Sequence, residues 1–147
     1  MFKAAGVILV IAVGAATGFR ASQRLRTRYK KLFRFYAFIR SAADRMRLGE
    51  ELERIYKSSE AAELLSVSGY RATVKSEGLS GEDIRLLEEF FSSLGMTDID
   101  SGVDRCAVFC ELLLRRVGEA EEDMKSKSRL YSILGCFCGV FVALILV

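Results

Sequence analysis

Histidine and proline are both missing from this 147-residue chain, and no acid occurs in its first 43 residues. Without histidine there is no side chain whose ordinary pKa lies near neutrality, and the commonest ligand of catalytic zinc is gone. Without proline, nothing locks φ or removes an amide donor to break a long helix. Cysteine is scarce and occurs as two close pairs, Cys106 with Cys110 and Cys136 with Cys138, which is not the pattern of a disulfide framework. No phosphate-cradling glycine loop, calcium-loop spacing or nucleophile triad is present. The chain therefore reads as a non-enzyme, with no catalytic residue, cofactor or metal ligand to assign.

What the chain has is an uncharged apolar run at each end. Residues 4–19 carry no charge over 16 positions and residues 130–147 carry none over 18. Crossing a hydrocarbon core of about 30 Å takes roughly 20 apolar residues at the helical rise. The second run fits, and the first reaches that length with Met1, Phe2 and a Lys3 that snorkels to the interface. The expected organisation is an amino-terminal transmembrane helix over 1–19, a helical bundle over 20–129 and a carboxy-terminal transmembrane helix over 130–147. A cleaved signal peptide is the rival reading of the first run, since Lys3, the apolar stretch, Gly14 and Ala16 match its three regions. The eight basic residues that follow between Arg20 and Arg40 argue against export and favour a retained anchor.

The same basic residues set the orientation. Basic groups beside a span stay on the cytoplasmic side, and the second run is preceded by Lys125, Lys127 and Arg129. The central region is thus expected in the cytoplasm. The net charge of +3 conceals an asymmetry: residues 1–43 hold nine basic groups and no acid, whereas residues 44–147 hold 13 basic and 19 acidic. The basic end suits anionic lipid, at about 1 kcal/mol per residue near the surface. The acidic remainder is free to meet a protein.

Helical periodicity dominates the centre. Leu25, Tyr29, Leu32, Tyr36, Ile39, Ala43 and Met46 step by four and three, which aligns them on one face of a helix, and Phe33, Phe35 and Phe38 widen that face. Gly49 marks a stop or bend. A short helix is expected over 59–65, and the stretch 72–74 is too brief to assign. Ser80 and Asp83 occupy the first and fourth positions of a capping box, opening a helix with Ile84, Leu87, Phe91 and Leu94 inward and a stop at Gly95. Cys106, Cys110, Leu113, Val117, Ala120 and Met124 form a further seam of about five turns. No segment alternates over a strand's length, so an all-α fold with no appreciable sheet is predicted.

Each candidate site has a plainer reading beside it. Cys106 and Cys110 share a helix face but lie on the apolar seam, where free cysteine packs as a small hydrophobe. Cys136 and Cys138 read as lipid-facing residues. The basic, aromatic strip from Arg24 to Arg40 superficially resembles a nucleic-acid surface, yet its rings are needed by the seam and its charges by the membrane rule, so no nucleic acid is expected. The acids after residue 80 include Glu88, Glu89 and Asp98, an exposed patch suited to a basic partner. Gly135 and Gly139, with Gly6, Gly14 and Gly18 on the other run, have the small-residue spacing that lets membrane helices approach closely.

The last third of the chain carries a family resemblance. Leu94-Gly95 followed by Thr97-Asp98, a long charged helix with Ala120 in its second half, and Tyr131-Ser132-Ile133-Leu134-Gly135 with Gly139 leading into a terminal span resemble stage III sporulation protein AB. The short amino-terminal span, the basic aromatic helix ending near Gly49 and the overall size extend the likeness over nearly the full length. The resemblance implies a membrane protein of endospore formers, made in the mother cell and needed for the multiprotein channel to the forespore. It also implies similarity to the platform proteins of type II secretion and type IV pilus systems, whose cytoplasmic bundles sit above a secretion-type ATPase. Two positions depart from the family pattern: Gly49-Glu50-Glu51-Leu52 replaces a Thr-Pro-Leu-like turn, and Gly102 replaces a glutamine.

The expected function is a non-enzymatic platform in that channel, coupled to a secretion-type ATPase and to other stage III channel proteins, with membrane lipid as a further partner and self-association allowed. Its expected place is the inner membrane on the mother-cell side of the forespore envelope. A small membrane-anchored helical adaptor that tethers a cytoplasmic partner is the alternative.

Overall fold

The computed structural model describes residues 2–68, 71–94 and 98–146, without the side chains at 2–5, 7, 71, 99, 143 and 146. In chain order the elements are α1 (Phe2–Arg47), α2 (Leu52–Tyr56), α3 (Ser59–Leu64), β1 (Leu65–Ser68), β2 (Arg71–Val74), α4 (Gly81–Leu94) and α5 (Ile99–Leu146). Helix dominates, as the periodicity predicts. α1 runs for 46 residues and α5 for 48, lengths that a proline-free sequence permits.

The all-α expectation holds, with one small element that it did not include: a two-stranded antiparallel ladder of four residues a side, β1 with β2, in which Leu65 faces Val74 and Ser68 faces Arg71. A further bond from the Lys75 amide to the Leu64 carbonyl at 3.0 Å continues the pairing. Only the Leu65 and Val74 end is buried. Four-residue strands are too short for alternation to register as a signal, and their stability comes from β2 packing beside α4.

The expected membrane spans find no support in the described part of the chain. Among the described residues, no helix is long and apolar enough to cross a membrane. Both expected spans include positions whose side chains lie outside the description, Ala4, Ala5 and Val7 in one and Ala143, Leu146 and Val147 in the other. The described remainder of each run falls short of the roughly 20 apolar residues that a span requires.

The chain divides into two compact units. One comprises Met1–Thr27 with Glu119–Val147, the other Arg28–Gly118. In the second, the α1 face is centred on Leu32, Phe35, Ile39, Ala42 and Met46, all buried. Tyr29 and Tyr36, expected at the centre of that face, are only half-buried. The face turns this way because Phe35 and Phe38 pack on Phe91, at centroid distances of 6.2 and 6.4 Å, and Tyr56 joins edge-on at 6.1 Å. Leu87, Leu94, Cys106, Leu113 and Val117 complete the core. The Tyr56 hydroxyl is buried with no partner among the described residues, and burial raises its pKa above the ordinary phenol value.

Gly49 does end α1. Its φ of +83° suits a residue without Cβ. Its amide donates to the Met46 carbonyl at 2.9 Å while the Glu50 amide donates to the Arg45 carbonyl at 3.1 Å. That pair of bonds is a Schellman cap. The Arg45 guanidinium then grips the Glu50 carboxylate with two bonds of 2.6 Å, so the departure from the family turn at Glu50 is occupied by an ion pair. The expected helix over 59–65 forms as α3, opened by the Ser58 hydroxyl accepting from the Ala61 amide. The expected stop at Gly95 lies outside the described residues, although α4 is assigned through Leu94.

Candidate functional site

Two places answer to the residues singled out in the sequence, one in each unit. The first is the approach of α1 to α5. A Cβ on Gly14 would lie 2.7 Å from the Gly135 carbonyl oxygen, and one on Gly135 would lie 2.6 Å from the Gly14 oxygen. Gly18 faces the Tyr131 carbonyl at 2.6 Å, and Gly139 faces the Ile11 Cα at 3.0 Å. The opposing atoms are backbone and cannot swing aside, so close approach demands glycine at Gly14, Gly18 and Gly135, while at Gly139 a Cβ would be tight. Numbers rise along one helix as they fall along the other, which makes the pairing antiparallel. The Ser22 and Ser128 hydroxyls, hydrogen-bonded to each other, extend the contact. Among the described residues, no atom lies within 4 Å of a Cβ built on Gly6.

The second place is α4 and what holds it. Its first turn is a reciprocal capping box: the Asp83 amide donates to the Ser80 hydroxyl at 3.2 Å, and the Ser80 amide donates to Asp83 Oδ2 at 3.2 Å. Asp83 does more than cap. Arg28 from α1 donates through Nε to Oδ2 at 2.7 Å and through Nη2 to Oδ1 at 3.2 Å. The Asp83 side chain is fully buried and that of Arg28 is 19% exposed. Burial alone would raise the carboxyl's pKa, but the Arg28 and Ser80 hydrogen bonds outweigh it and hold the group below the usual carboxylate value. Nearby, the Lys31 ammonium donates to the Glu77 carbonyl at 2.8 Å, and partial burial lowers its pKa against the opposing pull of the Glu77 charge.

From this fixed start α4 presents Glu88 and Glu89 to solvent, with Asp98 exposed beyond the helix and just before α5. Glu82, in the first turn of α4, meets Arg116 at 3.3 Å. The sequence flagged Asp83 only as a capping acid. Its partner Arg28 was missed, because nothing in local spacing marks one arginine out of a basic run of eight.

Cys106 is buried, and burial pushes its thiol up to about 12. Cys110 is half-buried with its pKa also raised by burial. Among the described residues no group of three His, Cys, Asp or Glu side chains could hold a metal ion.

A family model for stage III sporulation protein AB matches residues 47–147. The matched part contains the Gly49 turn, α4, α5 and the glycines Gly135 and Gly139; the likeness read along residues 1–46 lies outside it. No curated protein and no solved structure matches significantly. With most of its length covered, the chain belongs to the stage III sporulation protein AB family, and its role lies in sporulation.

Proposed function

We propose that this protein is a non-enzymatic membrane platform of the mother-cell-to-forespore channel, coupling a secretion-type ATPase to assembly of the envelope components needed for endospore formation. One observation carries the membrane part. The flanks of α1 and α5 expose Ile8, Leu9, Val13 and Phe19 on one side, and Phe137, Phe141, Leu144 and Ile145 on the other, each between 56% and 72%. Apolar surface on that scale calls for lipid or protein cover. Glycine-mediated pairing of two helices is a usual way of joining them in a bilayer. The basic residues beside both runs favour a cytoplasmic central region, with both termini across an inner membrane that lies on the mother-cell side of the forespore envelope.

The ATPase part rests on the family and on the acidic face of α4. Reversing Glu88, Glu89 and Asp98 to Lys should weaken co-purification with the ATPase and lower spore yield while leaving helicity intact. Reversal of Glu60 and Glu63 serves as the control. Unchanged association and spore yield in the triple variant would discard the acidic dock. Efficient labelling from outside of a thiol introduced near residue 90 would overturn the topology.

A further inference from the structure

Within the Arg28–Gly118 unit a groove of about 460 Å³ runs between α4 and α5. Its floor is apolar, built from Phe90 and Phe109, whose rings stack at 4.1 Å, together with Val108 and Leu112. Val108 is 68% exposed and Leu112 42%. The rim holds Glu89, Asp104 and Arg105, two acids to one base. α1 of the same unit carries the complementary surface. Tyr29, Phe33 and Tyr36 form a continuous aromatic strip, with ring centroids 6.3 and 6.4 Å apart, and Phe33 is 49% exposed. Exposed Lys30, Arg34 and Arg40 accompany it, and no acid occurs between residues 29 and 40.

We propose that the groove receives the aromatic strip of a second copy of the chain. The lengths agree: Tyr29 to Tyr36 covers eight residues, seven steps or about 10 Å of helix, as does the α4 wall from Leu86 to Ser93. The charges agree as well, since Lys30 and Arg40 would meet Glu89 and Asp104 while the rings cover Val108 and Leu112. Aromatic anchors over an apolar floor with charged rims are the usual composition of a protein interface. Strip and groove are different surfaces, so the association is head-to-tail and one copy leaves a free strip and a free groove for the next. A platform assembled from several copies would follow; the groove shares Glu89 with the proposed ATPase dock, and the two readings are told apart because this test uses the purified chain alone.

The test is sedimentation of the full-length chain in mild detergent across a concentration series. The native chain should show reversible association that weakens with salt. Two variants reverse one surface each: Lys30→Glu with Arg40→Glu on the strip, and Glu89→Lys with Asp104→Lys in the groove. Each alone should lose about tenfold or more in self-association, with circular dichroism confirming retained helix. Mixed in equal amounts, the two variants should associate again, because each now offers the surface the other needs. Leu48→Ser, at an 87% exposed site outside both surfaces, should behave as native. A native chain that stays monomeric, association indifferent to both reversals, or a mixture that does not recover would each overturn the proposal.

Discussion

Removing the Asp83 carboxylate should be among the most damaging single changes to the Arg28–Gly118 unit. The side chain is fully sequestered and takes three bonds, two from the Arg28 guanidinium and one from the Ser80 amide. Deleting one partner of a buried ion pair costs about 3–5 kcal/mol, mostly because the surviving charge is stranded. Here Arg28 keeps 19% of its surface and recovers some hydration, so Asp83→Ala belongs near the lower end, about 3 kcal/mol, including the roughly 1 kcal/mol of a lost cap. Asp83→Asn keeps shape and an acceptor for the Ser80 amide but loses the charge, and should cost about 1.5–2 kcal/mol. Replacing both partners, Arg28→Met with Asp83→Leu, should regain much of the loss, since two matched apolar groups strand nothing. Urea unfolding of the full chain in mild detergent, followed by circular dichroism, gives the differences. A loss below about 1 kcal/mol for Asp83→Ala would refute the reasoning, since it would mean the pair is wet and acts as a surface bridge. The sign with pH is fixed as well. Because the folded carboxyl lies below its ordinary value, its contribution is complete above about pH 4 and is lost as pH falls through the folded pKa.

Gly49→Ala should cost about 1–2 kcal/mol through its positive φ, as no atom of the described residues stands within 4 Å to clash with the new methyl; the same unfolding assay measures it. Leu113→Asp puts a charge at a fully buried position and should unfold or aggregate the chain, visible as lost helix or lost soluble yield, whereas normal stability would mean that the seam faces solvent. Cys106, buried with its thiol raised to about 12, should resist maleimide at neutral pH until the chain is unfolded, and mass mapping of labelled peptides would show fast native labelling if that burial is mistaken. Gly135→Leu should separate α1 from α5, because even its Cβ would lie 2.6 Å from the Gly14 carbonyl oxygen; faster amide exchange around residues 14 and 18 would report it.

Local rules carried the sequence reading far in this chain. A proline-free apolar periodicity predicted the long helices, and Gly49 marked the end of the first because a left-handed cap is a one-residue requirement. Ser80 and Asp83 announced the start of α4 three residues apart. What local rules missed depends on partners far along the chain. The buried face of α1 is rotated from Tyr29 and Tyr36 toward Phe35 and Phe38. Periodicity admits both faces, and only Phe91 on another helix selects between them. The β1–β2 ladder was invisible for a related reason: four residues give two inward positions per strand, and Leu65 with Val74 is the one pair buried on both sides.

The glycines show how a weak signal becomes a specific one. Small residues four apart are common in apolar helices, and Gly14, Gly18, Gly135 and Gly139 by themselves say only that something could come close. The structure supplies the register, with Gly14 against Gly135 and Gly18 against Tyr131, and every pair brings backbone to backbone. A leucine zipper in the same place would hold the helices about 8–10 Å apart by its side chains and would tolerate exchanges of similar volume. Contact through bare backbone leaves no room for a Cβ at Gly14, Gly18 or Gly135, and it leaves the larger side chains, Phe137 and Phe141 among them, directed outward at 70% and 67% exposure. Close approach inside and apolar exposure outside are thus two consequences of one arrangement, and that arrangement is the strongest physical support for placing these flanks in lipid.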